Sequence, residues 1–383
     1  MARHRMRLVR GSEVSSFLSD RGAWKFRWID RLIPNKPDGK LFFGDLFHKH
    51  MQHLAEEKFN TTAAHDRTHN WLMEQDVSAM DDVFYQEMID LFSSVSEYYE
   101  QTYASQDAEN IVPLEAELRF AIPLYEYDPL ELLGGRLDFA YEGTIDLLYV
   151  KDGKLGFRDY KTVSSIDRYI NNAVLDRQIS RYWWAITALC KGYGYIWTGD
   201  DSGWVPVKQT SLYDLHLKYY DGPSEFIYDI VKKDVPKPPK MLKKGGLSQD
   251  KSQKTTYEMY LKAIQENNLN PADYTEILEM LQTKENEFLR RVPVYRQWSE
   301  CEAAIDDFAK AAREMLQVRR EVEEGDLSRI YYNITWDTPT FNAYTPIIKA
   351  EVSGENVSMV KAALFKTEEH DPEKDFIEVE DED

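Results

Sequence analysis

Cysteine is nearly absent from this chain. Its 383 residues include two, Cys190 and Cys301, which within one chain build neither a disulfide framework nor a four-cysteine metal site. That usage fits a reducing, cytoplasmic setting. Long apolar runs are missing as well. No stretch of 18 apolar residues occurs, and the opening MARHRMRLVRGSEVSSFL has arginines but no apolar run of signal-peptide length, so the chain reads as neither membrane-spanning nor secreted. Positive charge is scarce overall: 47 Lys and Arg stand against 67 Asp and Glu, a net charge of -20. A generally basic nucleic-acid coat protein is excluded, and any cationic surface has to be local.

The length suffices for one large core or two smaller ones, and the charge is unevenly spread. Residues 1–31 carry eight Arg or Lys against Glu13, Asp20 and Asp30. Val231 to Lys254 holds eight lysines against Asp234 and Asp250, with Pro236, Pro238, Pro239 and Gly245-Gly246. This stretch reads either as a solvated extended linker or as a loop whose ammonium groups, those of Lys240, Lys243, Lys244, Lys251 and Lys254 among them, neutralise phosphates. Lys366–Asp383 has ten acids against two lysines and reads as a disordered tail.

The most informative stretch is EGTIDLLYVKDGKLGFRDYKT, Glu142–Thr162. Asp152-Gly153 between two β-rich runs is a hairpin signal, because both residues tolerate positive φ. A two-residue loop there sets residues whose numbers sum to 305 opposite one another, and Asp146 faces Asp159. Like charges directly opposed destabilise a strand pair, so a cation is called for. Lys161, two residues beyond Asp159, shares its face. A metal is one way to relieve the pair; the other reading is two unrelated acids on an edge hairpin.

Elements around the hairpin can be read from their periods. Phe43, Phe47, Met51 and Leu54 predict a helix over 41–59, with Gly44 and His48 on an adjoining stripe. His48 reads as a metal ligand or as a partly buried, hydrogen-bonded histidine. Residues 60–105 are predicted helical and polar-faced. VPLEAELRFAIPLY, 112–125, reads as a strand with Glu115, Glu117 and Arg119 on one face, a place from which an acid could reach Asp146 and Asp159. A helix is predicted over 173–190, with Gln178 and Tyr182 one turn apart beside an apolar stripe. Residues 254–324 read as two or three helices whose even charge mixture suits a scaffold.

Gly44-x-x-x-His48, Gly143-x-x-Asp146, Asp159-Tyr160-Lys161-Thr162 and Gln178-x-x-x-Tyr182, preceded by Val14–Leu18 and the run Trp24–Trp28, resemble in that order the PD-(D/E)XK nucleases of the RecB and AddB type. The resemblance spans residues 14–190 and continues more loosely to 354. It implies His48, Asp146 and Asp159 as metal ligands together with the Tyr160 carbonyl, and Glu117, or else Glu115, as an upstream acid. It also implies Lys161 orienting or activating the attacking water, and Gln178 and Tyr182 buttressing the site and touching the nucleic-acid backbone. Such ligands suit Mg²⁺ or Mn²⁺. Many relatives end in a cysteine-bearing segment that helps bind an iron–sulfur cluster. Here WDTPTFNAYTPIIKAEVSGEN has Trp336, Phe341, Glu351 and Gly354 in family-like places but no cysteine, so no cluster is expected and any clasp between the chain ends has to come from packing.

The fold implied is α/β, a restriction-endonuclease-like core with a mixed central sheet flanked by helices and a helical C-terminal extension. The division expected is 1–110 for an N-terminal helical region, 111–230 for the nuclease core, 231–255 for the basic loop, 256–330 for a helical appendage, 331–365 for a C-terminal segment and 366–383 for the tail. The function expected is metal-dependent hydrolysis of DNA phosphodiesters by an exonuclease of recombination, repair or phage DNA metabolism, in the host cytoplasm if the chain is phage-encoded. No GxxxxGK[ST] occurs, so a helicase partner would be a separate chain. The alternatives are a catalytically silent DNA-binding or assembly protein of the same fold, and an endonuclease.

Overall fold

A computed structural model describes residues 3–35, 39–75, 77, 80–124, 139–173, 175–199, 203–212, 219, 221–335 and 342–380. Among the described residues its centre is a nine-stranded mixed sheet. Strands β3 (Ile111–Leu124), β4 (Phe139–Lys151) and β5 (Lys154–Val163) run antiparallel in sequence. Beyond β3 lie β6 (Tyr195–Trp197) and β7 (Trp204–Pro206); beyond β5 lie β8 (Glu225–Lys232), parallel to it, and β9 (Leu289–Val294), antiparallel to β8. The β4–β5 register runs from Lys151 opposite Lys154 to Leu147 opposite Arg158, the two-residue turn read from the sequence, with Asp152 at φ +50° and Gly153 at φ +73°.

Strand β1 (Arg3–Arg10) joins the same edge of β4 further up, where it pairs in parallel through Arg7–Arg10 with Phe139–Glu142. β4 is thus flanked on that edge by β1 through Glu142 and by β5 from Leu147 onward. Gly143–Asp146 occupies the fork between them, and the functional residues gather there.

Helices cover both faces. On one lie α1 (Gly11–Ser19), α2 (Arg21–Trp24), α7 (Arg177–Cys190) and the long helix α10 (Trp298–Glu323), which share a core through Phe17, Trp24, Trp183, Ile186, Phe308 and Met315. On the other lie α3 (Gly39–Glu56), α4 (Thr61–Met73) and α5 (Asp82–Asn110), packed through Phe43, Phe47, Met51, Phe92 and Tyr99. Asp176 starts α7, its carboxylate accepting the Gln178 N–H at 2.8 Å, which satisfies a donor the first turn leaves free. α6 (Ile166–Ala173) links β5 to α7.

Three readings of the distal half are corrected. The predicted helical stretch before Val294 contains β9, and α10 is part of the main core, so 256–330 is not a helical appendage as a whole. Only α8 (Tyr257–Glu266) and α9 (Thr275–Thr283) form a separate small core, with Leu247 from the basic loop packed among Tyr260, Ile264, Tyr274 and Ile277. The helices α11 (Thr345–Ser353) and α12 (Val357–Leu364) pack against Phe26 and Leu32 near the chain's start. Trp336 and Phe341 lie outside the described residues.

The acidic tail is not disordered over 366–380. β10 (Phe365–Thr367) pairs with β2 (Leu32–Pro34), and β11 (Phe376–Glu380) pairs antiparallel with β1. Tail acids meet N-terminal arginines: Arg5–Glu373 at 2.9 Å, Arg7–Asp375 at 3.1 Å, Arg27–Glu368 at 2.6 Å and Arg31–Asp375 at 2.8 Å. The two charge runs noticed in the sequence neutralise each other, and strand pairing supplies the clasp. Ile377 is buried, 2% exposed, against Met6, Leu8 and Ala140. Ile377→Ala should therefore cost about 2–5 kcal/mol, read as a lower urea midpoint with an unchanged slope.

Candidate metal centre

The site starts from an irregularity shared by two strands. A regular strand keeps residues i and i+2 on one face. Ala116 packs with the α3–α5 core and Leu118 with the α7–α10 core, and Leu147 and Ile145 divide in the same way. β3 and β4 thus switch faces at one level, at Glu117 and at Asp146 opposite it. Glu117 makes the switch with φ +53°, a conformation that costs a non-glycine residue of order 1 kcal/mol or more and persists where the surroundings impose it.

The consequence is a three-donor cluster. His48 from α3 places Nδ1 3.5 Å from Asp146 Oδ2 and 3.9 Å from Glu117 Oε1, and one donor atom from each of the three lies within 4.8 Å of the others. Asp146 Oδ2 also accepts the Tyr160 N–H at 2.7 Å, so this carboxylate ties β4 to β5 where their ladder ends. Glu115 pairs with Leu148 and is not in the cluster, which singles out Glu117 of the two acids read from the sequence.

Asp159 and Lys161 stand beside this cluster as an ion pair, Lys161 Nζ to Asp159 Oδ2 at 2.5 Å. Burial pushes the Asp159 carboxyl up to about 7, Lys161 opposing the shift and Asp146 adding to it. Burial pushes Glu117 up to about 8, Asp146 adding to it. Burial alone would lower Lys161, but Asp159 and Asp146 hold it above its ordinary value. Of the two roles the resemblance implies, orienting or activating the attacking water, a lysine held protonated suits the first. Too many carboxylates for the positive charge at hand is the environment a divalent cation relieves, and two carboxylate oxygens with one imidazole nitrogen are a suitable donor set. Because protons compete for the same oxygens, apparent metal affinity should climb with pH up to about 8, by as much as about tenfold per unit for each proton displaced. Calorimetry in buffers of different ionisation heat would register those protons.

Gly143 permits the other half of the site. A Cβ there would lie 2.6 Å from the Phe120 ring and 3.0 Å from Tyr182, so its absence lets Tyr182 lie against β4. Tyr182 is hydrogen-bonded to Gln178, and burial raises its hydroxyl pKa well beyond the ordinary range, with Tyr141, Asp159 and Asp146 contributing. Gly44 differs: a Cβ there would meet only Thr162 Oγ1 at 3.5 Å, an ordinary contact. Packing does not require a glycine, and its helix gives up about 1 kcal/mol by having one.

Cavities explain what the space serves. One of about 490 Å³ is lined by Gly143, Thr144, Gln178 and Tyr182 together with Arg10, Arg119 and Arg181. Another of about 780 Å³ is lined by Gly44, His48, Thr162, Tyr169, Arg168 and Lys233. Arg10, Glu142 and Arg181 were not read from the sequence as site residues, since they converge from β1, β4 and α7. Buried Glu142 holds both Arg10 (2.7 Å) and Arg119 (2.6 Å), and the Arg119 guanidinium lies 5.0 Å from the ring centres of both Trp197 and Trp204. One buried carboxylate between two arginines leaves that wall cationic.

The profile of the PD-(D/E)XK nuclease superfamily matches residues 12–332. The chain belongs to that superfamily. Its members are nucleases that use divalent metals, and the mixed sheet flanked by helices is their fold. No curated protein matches the chain.

Of the expected DNA-gripping lysines, Lys251 and Lys254 are exposed and form surface ion pairs within the chain, with Glu276 at 2.5 Å and with Asp234. Lys240, Lys243 and Lys244 are exposed around a bridge between Met241 and Leu247. No described helix is long and apolar enough to cross a membrane.

Proposed function

We propose that this nuclease is an exonuclease that hydrolyses DNA phosphodiesters at the His48–Glu117–Asp146 cluster, in recombination, repair or phage DNA metabolism. The observation that carries this reading is the convergence of three metal donors beside a buried Asp–Lys pair. His48, Glu117 and Asp146 would hold Mg²⁺ or Mn²⁺, with Asp159 and the Tyr160 carbonyl completing the set. The cation supplies charge stabilisation on the phosphoryl oxygens and lowers the pKa of water.

The chain's own residues do the remainder. Asp146, fixed by the Tyr160 N–H, has one orientation to offer. Lys161, held protonated by Asp159 and Asp146, places a positive point charge and hydrogen-bond donors where the scissile phosphate carries negative charge, and orients the attacking water rather than deprotonating it. Gln178 and Tyr182 steady the floor of the arginine-lined cavity, where Arg10, Arg119 and Arg181 receive backbone phosphates. Gly44 keeps the second cavity open for the strand. Lys240, Lys243 and Lys244 add a salt-dependent grip, and a helicase or recombination protein that works with it would be a separate chain. A silent binding protein would have no use for Asp146, Asp159 and Lys161 together.

The test is a time course on linear DNA labelled at its 5′ or 3′ end, run beside covalently closed circles with Mg²⁺ or Mn²⁺. Loss of label from linear DNA while circles survive is the expected outcome and gives polarity directly. Cutting of closed circles at a comparable rate makes the enzyme an endonuclease.

A further inference from the structure

A second cluster lies outside the candidate centre. His50 of α3, His65 of α4 and Glu100 of α5 converge, with His50 Nε2 2.7 Å and His65 Nε2 3.0 Å from the same oxygen, Glu100 Oε1. One donor from each lies within 4.8 Å of the others. His50 is fully buried, while His65 keeps 40% of its side chain exposed, so the group opens to solvent on one side.

Hydrogen-bond arithmetic fixes how the buried ring is turned. Thr68 Oγ1 donates its single proton to the Ala64 carbonyl at 2.8 Å, and its oxygen therefore accepts from both His50 Nδ1 and His53 Nδ1, each at 3.0 Å. With its Nδ1 proton committed to Thr68, His50 meets Glu100 Oε1 through Nε2 at 2.7 Å, a contact that needs either a second proton on the ring or a cation between the two, and the Nδ1 partner is the arrangement an outer-shell group imposes on a metal-binding histidine. His65 Nε2 faces the same carboxylate. Two imidazole nitrogens and one carboxylate within reach of one another, on a side where His65 is exposed, are the donor count of a tetrahedral set with a place for water.

We infer that His50, His65 and Glu100 form a zinc site that pins α3, α4 and α5 together and so sets the helix that presents His48. The assignment does not rest on the nuclease reading. Donor chemistry separates the two sites: two nitrogens in three favour Zn²⁺, whereas the oxygen-rich cluster of His48, Glu117 and Asp146 admits Mg²⁺ or Mn²⁺. Zinc–ligand bonds of about 2.0–2.1 Å separate tetrahedral donors by about 3.3 Å, so on loading, Glu100 has to turn away from both rings, opening 2.7 Å to His50 and 3.0 Å to His65 to that spacing.

The experiment is elemental analysis of the full chain after chelation, reloading with Zn²⁺ alone and exhaustive dialysis. One equivalent of zinc should remain on the wild type and on Asp146→Ala. His65→Ala, chosen because the side chain is half exposed, should weaken zinc binding by at least about 100-fold, more than the loss of an outer-shell partner costs. Glu100→Gln, which preserves shape, should weaken it too, and Thr68→Val should cost about 10–100-fold. Wild-type protein that retains no zinc overturns the assignment, as does retention unchanged in His65→Ala and Glu100→Gln. Zinc lost from Asp146→Ala but kept by His65→Ala would place the ion at the other cluster and overturn it equally.

Discussion

Asp146→Ala is expected to leave the protein folded and to lower DNA cleavage by on the order of 10³-fold or more. The side chain is partly exposed, 11%, at the fork between β1 and β5, and its loss removes no core packing. It does remove a carboxylate that lies 3.5 Å from His48, opposes Glu117 and accepts the Tyr160 N–H. Losing several kcal/mol of charge stabilisation at the phosphate, at 1.36 kcal/mol per decade, gives that figure. Single-turnover cleavage with enzyme in excess, beside a far-ultraviolet spectrum, separates the chemical loss from misfolding. A variant that cleaves within tenfold of the wild type would remove Asp146 from the chemistry.

Lys161→Ala is expected to divide binding from turnover. Lys161 lies against Asp159 and outside the three-donor cluster, so Mn²⁺ affinity should persist while the cleavage rate falls about 10²–10³-fold, the loss typical of one preorganised charge-stabilising donor. Lys161→Arg, which keeps the charge but not the compact ammonium, should recover only part of the rate. Because the lysine is held protonated, the wild-type pH profile should show no limb from deprotonation of Lys161 below its ordinary value. A fall in metal affinity as large as the fall in rate would mean that Lys161 acts through the ligand set.

The hairpin was legible because its information is local: Asp-Gly fixes the turn, and the turn fixes which residues oppose. The same arithmetic predicted Asp146 facing Asp159, and the register holds to Leu147–Arg158, the pair before it. There the strands cease to be a plain ladder and the Asp146 side chain reaches Tyr160 N–H. Glu117 could not be chosen over Glu115 by alternation, because alternation itself breaks at Glu117 with its positive φ. Arg10, Glu142 and Arg181 were illegible as a group for another reason, since tertiary packing alone brings β1, β4 and α7 together. The α10 segment was read as a scaffold helix from its even charge mixture, and a helical pattern says that a face is buried without saying against what. The tail misled through composition: its acids outweigh the alternation of Ile377 and Val379 in FIEVE, the period of a strand with one buried face.

On the proposed reading, His48, Glu117 and Asp146 together hold the cation that hydrolysis requires. Direct measurement of Mn²⁺ binding by paramagnetic resonance, on chelated wild type and on His48→Ala, Glu117→Gln, Asp146→Ala and His65→Ala, tests it most closely. Wild type and His65→Ala should bind, and the three cluster variants should each lose most of the affinity, Asp146→Ala the most. Mn²⁺ binding undiminished in Asp146→Ala and Glu117→Gln would mean that the cation is held elsewhere.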